Sequence, residues 1–238
     1  MADHDVVSEQ DWLSARRALL EREKALTRLQ EQVTAERRAL PWVKVEKAYT
    51  FDTPEGRKTL AELFDGRSQL VVYHFMYGPQ MKTGCVGCSF LADHVDGANQ
   101  HLKHHDVTLI AVSRAPLQTL QAYKKRMGWK FPWVSSEGGD FNYDFHVSFT
   151  KDELAKGAVF YNFEMTKNET MEDLHGTSVF FKDGDGGIYH TYSAYARGDE
   201  RGLGTYMWLD ITPKGRDEGA GGNLTDWVRR HDEYEDAK

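Results

Sequence analysis

The stretch LVVYHFMYGPQMKTGCVGCS, residues 70–89, joins an apolar run to a pair of cysteines. Residues 70–77 are almost all apolar, which predicts a central strand that is covered on both faces. Cys85 and Cys88 are the only two cysteines of the chain and form one CxxC motif. A CxxC motif between a strand and a helix is the arrangement that supports dithiol–disulfide chemistry. The stretch therefore predicts an α/β fold that carries redox-active thiols.

The residues around the motif predict different roles for the two thiols. A helical pattern follows the motif, with one apolar stripe formed by Cys88, Leu91, Val95, Ala98 and Leu102. This stripe places Cys88 on the buried face of the helix. Cys85 lies one turn earlier, at the helix N-terminus, where free N–H groups and the helix dipole favour a thiolate. Gly84 and Gly87 let the backbone turn tightly and let a partner approach. We therefore expect Cys85 to attack a substrate and Cys88 to resolve the mixed species.

Two other interpretations of the pair remain open, namely inert buried thiols and half of a zinc site. A structural zinc site needs four ligands, and the chain has no second CxxC motif. The cluster of His101, His104 and His105 lies at the far end of the same predicted helix, about two dozen ångströms from Cys85 at the helical rise. That distance is too long for a shared metal ion. We therefore expect no metal and no cofactor.

The rest of the chain shows an alternating α/β pattern. Strands are predicted at residues 43–51, 70–77, 106–113 and 131–135, and helices at residues 59–64 and 116–127. Residues 177–181 and 188–195 flank a turn that contains Asp183 and Asp185, which predicts a hairpin. This order predicts a central mixed β-sheet flanked by helices.

We expect three segments along the chain. Residues 1–40 are predicted to form an N-terminal amphipathic helical arm, and residues 41–213 one α/β domain with an insertion at about 137–175. The insertion is rich in aromatic residues and has weak periodicity. Residues 214–238 are expected to form a C-terminal tail that is loose at residues 214–222 and has a short helix at residues 224–233.

The arm is predicted to be one long helix over residues 8–38. Ser8 and Asp11 resemble a capping box, and Pro41 stops the helix. Its apolar stripe consists of Trp12, Ala15, Leu19, Leu26, Leu29 and Val33. Such a stripe needs an apolar surface to cover it. The helix therefore either lies across its own domain or forms a homodimer, and the sequence leaves both open.

The composition limits the partners that the chain can have. A formal net charge of -7 and the lack of a dense basic tract argue against a nucleic-acid partner. No stretch approaches the roughly 18 apolar residues of a membrane span, so we expect no membrane partner. The N-terminus is acidic and lacks the apolar segment of a secretory signal. A cytoplasmic location, with thiols that are reduced or cycling, is expected.

Three further residues are candidates for supporting roles. Asp93 follows the motif on the predicted helix and could accept a proton from Cys88, although a solvent-facing acid explains it as well. His190 and Arg197 lie on or just after the last strand. They belong to the site only if that strand ends near the CxxC motif.

Longer stretches of the chain resemble a known protein family. The chain is similar to the DUF899 family of bacterial proteins in YHFMYG, GCVGCSFLADH, VSRAPLQTLQAYKKRMGW, FPWVSS, FNYDFHV, GTSVFF, YHTYSAYARG and LDITPKGR. These stretches cover most of residues 40–216. The resemblance implies a thioredoxin-like fold and a dithiol–disulfide oxidoreductase activity.

The order of residues 51–179 also resembles the peroxiredoxin branch of the thioredoxin fold, with two departures. Peroxiredoxins carry the pattern PxxxTxxC, whereas here Pro79 and Thr83 have the first spacing and Cys85 comes one residue early. Thioredoxins carry a cis-proline that faces the CxxC motif. The comparable position here is about Thr177, and no proline lies there. The resemblance therefore favours neither a peroxidase nor a general protein-disulfide reductase.

The sequence thus predicts a thiol–disulfide oxidoreductase that acts on a protein or small-molecule thiol or disulfide. Three alternatives remain. The first is a thiol peroxidase, and the second is a Sco-like copper-handling protein that uses both cysteines and His190. The third is a binding module without catalytic activity.

Overall fold

The computed structural model describes residues 4–218 and 226–235, which divide into an N-terminal unit that ends at Pro41 and a second unit that begins at Trp42. The N-terminal unit consists of helix α1, Glu9–Arg38. Ser8 caps this helix by accepting a hydrogen bond of 3.2 Å from the N–H of Asp11. The long helix predicted for residues 8–38 is thus confirmed. Its apolar side chains are exposed, and dimerisation through them stays a prediction.

The described part of the second unit holds its strands in two sheets. The strands are β1 (Val43–Lys44), β2 (Thr50–Thr53), β3 (Gly56–Thr59), β4 (Gln69–His74), β5 (Val107–Ser113), β6 (Trp133–Ser135), β7 (Ala158–Tyr161), β8 (Glu164–Lys167), β9 (Gly176–Lys182) and β10 (Ile188–Tyr195). Among the described residues, eight strands form one sheet in the order β1-β10-β9-β4-β5-β6-β2-β3. Strands β7 and β8 form a separate hairpin.

The predicted mixed sheet is confirmed by the strand directions. β4 runs parallel to β5, and β5 runs parallel to β6. β9 runs antiparallel to both β4 and β10. The order β5-β4-β9-β10, with a parallel pair beside an antiparallel hairpin, is that of the thioredoxin-like fold.

Helices cover both faces of this sheet, as predicted. The helices are α2 (Val86–Ala92), α3 (Val95–His104), α4 (Leu117–Arg126), α5 (Phe141–Asp144), α6 (Lys151–Ala155) and α7 (Gly204–Leu209), with 3-10 helices at Glu62–Phe64, Ala196–Gly202 and His231–Glu233. The side chain of Tyr73 packs in one core with residues of α2, α3 and α4. The side chain of Val72 packs in a second core with residues of α5 and of the first 3-10 helix. Because side chains alternate along β4, adjacent residues of this strand belong to opposite cores.

Several predicted elements are corrected by the structure. The strand predicted at residues 43–51 is two strands, β1 and β2, which pair near opposite ends of the sheet. The helix predicted at residues 59–64 is the end of β3 followed by a single 3-10 turn. The helix after the CxxC motif is interrupted between α2 and α3. Beyond this break Asn99 is buried where Ala98 was expected, and its side-chain amide donates to the Leu109 carbonyl oxygen over 3.4 Å.

The insertion and the tail complete the second unit. The insertion contains α5, α6 and the β7–β8 hairpin, and it contributes buried aromatic residues to both cores. In the tail, residues 219–225 and 236–238 lie outside the described part, and these include part of the predicted loose segment and of the helix predicted at residues 224–233. Residues 226–230 are irregular, and residues 231–233 form one 3-10 turn. No helix within residues 4–218 and 226–235 is long and apolar enough to cross a membrane.

Candidate functional site

The CxxC motif lies in a tightly packed loop between β4 and α2. Cys85 is the N-cap residue of α2, and its N–H donates to the Met76 carbonyl oxygen over 3.2 Å. A Cβ atom on Gly84 would lie 2.9 Å from ring atoms of Phe75 and of Tyr123, so only glycine fits there. The Gly84 carbonyl accepts a hydrogen bond of 2.7 Å from the guanidinium of Arg230. The loop is therefore fixed immediately before the first cysteine.

The environment of Cys85 favours its thiolate. Its pKa is lowered to about 6, chiefly because the Cys88 thiol hydrogen-bonds to its sulfur. The backbone N–H groups of Gly87 and Cys88 act in the same direction, and the positive charge of His175 adds a smaller contribution. Burial opposes these effects. Since these N–H groups belong to the first turn of α2, the helix N-terminus stabilises the negative charge as expected for this position.

Cys88 has the opposite character. It is almost fully buried, and its pKa lies well above the usual value because of burial and because of the neighbouring Cys85. The Met76 N–H donates to the Cys88 sulfur over 3.4 Å, and the Tyr73 hydroxyl also hydrogen-bonds to it. The two thiols thus form an asymmetric pair, with a partly accessible thiolate and a buried protonated thiol.

Both cysteines line a pocket of about 590 Å³, called here the cysteine pocket. Its lining residues come mainly from β4, α2, the insertion and the segment after β10, and the last two are called here its walls. The apolar lining residues are Met76, Phe90, Leu91, Met171, Leu174, Leu203 and the ring of Tyr206. A pocket of this volume has the size of a small-molecule site, for which the common range is roughly 300–1,000 Å³.

The pocket also contains a histidine–carboxylate contact that no sequence motif indicates. His175 Nδ1 lies 2.9 Å from Asp199 Oδ2, and the Asp199 side chain is only 4% exposed. The other oxygen of Asp199 is buried and has no hydrogen-bond partner among the described residues. His175 directly precedes β9, next to the position where the missing proline of thioredoxins was noted. That missing proline was the one sequence signal that pointed to this segment.

Of the predicted supporting residues, Gly87 and Arg197 line the cysteine pocket. Arg197 is largely exposed, and its Nε lies 2.7 Å from Glu200 Oε1. Thr177 pairs with Tyr73 across β9 and β4, so both side chains lie on the same face of the sheet. Thr177 itself is not among the lining residues.

The structure places three other candidates, Thr83, Asp93 and His190, away from the thiols. Thr83 lies on a different surface, beside Tyr77 and Gln118. Asp93 is the C-cap of α2, where it accepts a 2.8 Å hydrogen bond from Trp129 Nε1 and pairs with His231. These contacts place Asp93 beside Trp129 and His231, and its suggested role as proton acceptor for Cys88 stays a prediction.

His190 lies on the face of the sheet opposite to the cysteines. Its ring packs against Phe145 and Phe180, which belong to the second core. His190 is therefore not placed to bind the same copper ion as the two thiols. This position removes the geometric basis of the copper alternative. Among the described residues, no group of three or more His, Cys, Asp and Glu side chains is arranged to hold a metal ion.

A family model described as "Bacterial protein of unknown function (DUF899)" matches residues 1–234. The chain belongs to the DUF899 family. This family assignment agrees with the resemblance carried by the sequence motifs. A comparison with curated protein sequences found no match.

Solved structures with similar folds include peroxiredoxins. Peroxidoxin BcpB from Mycobacterium tuberculosis is 14% identical, with 69% of this chain and 94% of that chain covered and a TM-score of 0.46. Peroxiredoxin Q from Xanthomonas campestris is 14% identical, with coverages of 66% and 85% and a TM-score of 0.43. A cysteine-to-serine variant of PrxQ from Xylella fastidiosa is 16% identical, with coverages of 67% and 88% and a TM-score of 0.43.

Proposed function

We propose that the protein is a thiol–disulfide oxidoreductase in which Cys85 attacks and Cys88 resolves. The observation that carries this proposal is the position of the partly accessible Cys85 at the N-terminus of α2 beside the buried Cys88 in one pocket, which shifts the two thiol pKa values in opposite directions. The thiolate is the reactive form of cysteine, and an attacking thiol works best when its pKa lies near the ambient pH. A pKa of about 6 leaves Cys85 mostly ionised at neutral pH.

The reaction has two steps that transfer two electrons. The Cys85 thiolate attacks one sulfur of the substrate disulfide, which forms a mixed disulfide and releases one substrate thiolate. Cys88 then loses its proton and attacks the Cys85 sulfur, so that the Cys85–Cys88 disulfide forms and the second substrate thiolate leaves. The proton from Cys88 neutralises a departing thiolate. The dithiol is oxidised, and the substrate disulfide is reduced to one thiol and one thiolate, which can take a second proton from water.

The order of the steps follows from the electrostatics of the pair. The negative charge of Cys85 is one reason why the pKa of Cys88 is high. That charge disappears when Cys85 enters a mixed disulfide, so the resolving thiol becomes more acidic only after the first step. The Tyr73 hydroxyl and the Met76 N–H then stabilise the Cys88 thiolate. The proposed exchange is suited to a reducing compartment such as the cytoplasm.

The other candidate functions gain no support from particular contacts. Thr83, at the peroxiredoxin-like spacing, lies outside the cysteine pocket. His190, the proposed copper ligand, packs in the opposite core. A binding module without catalysis has no need for a thiol with a lowered pKa.

The decisive experiment is a pH titration of the thiolate by its ultraviolet absorbance in the reduced protein. We expect a midpoint near pH 6 for Cys85, as its environment predicts. The Cys85→Ser variant is the control, because it should lack this transition. A midpoint at the ordinary cysteine value of about 8.5 would contradict the proposal.

A further inference from the structure

We infer that the substrate is a small, uncharged and largely apolar disulfide that enters the cysteine pocket. This inference rests on the proposed function and specifies its substrate class. It distinguishes such a compound from two other kinds of disulfide, namely an extended protein segment and a small disulfide that carries carboxylates. Three properties of the pocket support it, namely its cover, its lining and its charge.

The cover of the pocket consists of segments that are hydrogen-bonded to one another. The Tyr161 hydroxyl, at the end of β7, donates to the His175 carbonyl over 2.9 Å and accepts a 3.0 Å hydrogen bond from the Ala196 N–H. The first hydrogen bond joins two parts of the insertion, and the second ties the insertion to the segment after β10. Because these hydrogen bonds hold together segments that line the pocket, we expect an extended polypeptide to enter it less readily than a small molecule.

A second tie holds the same segment in place. Asp173, two residues before His175, forms a bidentate ion pair with Arg114, with distances of 2.7 and 2.8 Å. Both side chains are close to fully buried. Bidentate arginine–carboxylate pairs fix geometry as well as charge. The wall that carries Leu174 and His175 is therefore part of the folded domain and not a loose loop.

The lining of the pocket is mostly apolar. Leu91, Leu174 and Leu203 surround the two thiols together with the aromatic and methionine side chains already described. Apolar groups on a substrate gain free energy when they leave water for such a surface. The apolar surface extends beyond the area that two sulfur atoms would cover. It can therefore also contact apolar substituents of the substrate disulfide.

The charged residues of the pocket disfavour an anionic substrate. Glu169, Asp199 and Glu200 contribute carboxylates, and the basic side chains among the described lining residues are Arg197 and His175, of which His175 contacts Asp199. The guanidinium of Arg197 is already paired with Glu200. Like charges at a binding site reduce affinity and slow association. A disulfide with carboxylates, such as glutathione disulfide, should therefore be a poor substrate.

The test uses the reduced full-length protein and three disulfides. Dibutyl disulfide is the neutral apolar probe, dithiodipropionate has a similar length and two carboxylates, and insulin provides protein disulfides. Stopped-flow measurement gives the rate at which each disulfide oxidises the Cys85–Cys88 pair. Each rate is divided by the rate of the same disulfide with free dithiothreitol, which removes differences in intrinsic reactivity. We expect the normalised rate to be at least about tenfold higher for dibutyl disulfide than for either other probe.

Two matched pairs of variants connect this preference to the pocket. Met171 lines the pocket at its exposed edge, and Met165 is similarly exposed on β8 but does not line it. Met171→Glu should reduce the preference for dibutyl disulfide at least fivefold, whereas Met165→Glu should leave it unchanged. Glu169→Gln should raise the rate with dithiodipropionate about twofold, and Glu164→Gln on β8 should not.

The outcomes separate the substrate class from the proposed function. Equal normalised rates for all three probes, or a faster reaction with insulin, would overturn the inference and leave the oxidoreductase proposal intact. The same effect of Met171→Glu and Met165→Glu would also overturn the inference. Failure of all three disulfides to oxidise the pair would overturn the proposed function and the inference together.

Discussion

Both faces of the central sheet hold buried ionisable side chains, but the surroundings of these side chains differ between the two faces. On one face, Tyr73 of β4 contacts the buried Cys88 beside the cysteine pocket. On the other face, the next residue, His74, begins a chain of buried polar groups. His74 Nε2 lies 2.9 Å from Ser178 Oγ, which lies 3.0 Å from Ser193 Oγ, which lies 2.8 Å from His190 Nε2.

The difference shows what turns a buried ionisable group into a reactive one. Burial and the neighbouring His190 lower the pKa of His74 to about 3, so His74 is neutral and hydrogen-bonded. Burial opposes the thiolate of Cys85 as well, but there the helix N-terminus and the Cys88 thiol overcome it. The face of the sheet that carries the cysteine pocket, called here the pocket face, therefore combines a thiol that a substrate can reach with groups that stabilise its negative charge. The opposite face has hydrogen bonds but no such charge partner.

The largest expected effect tests whether the pocket face alone carries the chemistry. Cys85→Ser should abolish disulfide exchange, because serine supplies no thiolate. Cys88→Ser should retain the first step and accumulate a mixed disulfide at Cys85, which mass spectrometry of the intact protein detects. We expect turnover in both variants to fall at least about a thousandfold.

The matched control for this prediction is His190→Gln on the opposite face. Its turnover should stay within about twofold of the unchanged protein, because His190 does not line the pocket. A comparable loss of turnover in His190→Gln would mean that the opposite face takes part in the reaction.

A second prediction concerns the ion pair that holds the wall of the pocket. Asp173→Ala removes the bidentate partner of the buried Arg114 and leaves only its longer 3.6 Å contact with Glu172, which should cost about 3 kcal/mol. The free energy of unfolding, measured with urea, should fall by that amount. Asp232→Ala removes one of the two carboxylate partners of the more exposed Arg126, which keeps Glu233, and should cost less than about 1 kcal/mol. Equal losses in the two variants would show that the Arg114–Asp173 pair is not as buried as its contacts indicate.

The third prediction uses pH to probe the opposite face. The pKa of His74 is about 3 in the folded protein, whereas an unfolded histidine has a value of about 6.5. As the pH falls below about 6.5, the unfolded chain binds a proton that the folded protein does not, so stability is lost. Between pH 7 and pH 5 this loss should be about 2 kcal/mol from His74 alone. The lowered pKa of His190 acts in the same direction.

The measurement compares urea unfolding of the unchanged protein and of His74→Leu at the two pH values. For each protein, the free energy of unfolding at pH 5 is subtracted from that at pH 7. This difference should be about 2 kcal/mol smaller in the variant. This difference does not depend on how much the substitution itself destabilises the protein at neutral pH. The same pH dependence in both proteins would show that His74 binds a proton equally well in the folded and unfolded states.

Local patterns were sufficient to predict the central part of the fold. The apolar run of β4, the CxxC motif at the start of α2 and the β9–β10 hairpin all depend on neighbouring residues with a clear period or turn. The N-terminal helix α1 was predictable for the same reason. Errors occurred at residues 43–51 and 59–64, where strand pairing at the sheet edge decides the structure and short segments carry little periodicity.

The walls of the site depend on contacts between distant parts of the chain. His175 and Asp199 reach the pocket from the insertion and from the segment after β10, and neither lies in a sequence motif with the cysteines. The insertion turns through left-handed backbone conformations at Asn162, Phe163 and Asn168. Such irregular segments have no period, so the sequence could predict the pair of thiols but not the groups that cover them.

The smallest expected effect tests the link between the wall and the thiol. His175→Gln removes a positive charge that contributes to the low pKa of Cys85, but the hydrogen bond from Cys88 contributes most. The pKa of Cys85 should therefore rise by less than about one unit, as measured by the pH dependence of thiolate absorbance. His190→Gln, on the opposite face, should leave this pKa unchanged. A rise of equal size in both variants would mean that His175 does not act on the pKa of Cys85 more strongly than His190 does. The two faces would then differ in having a pocket but not in their electrostatic effect on the thiol.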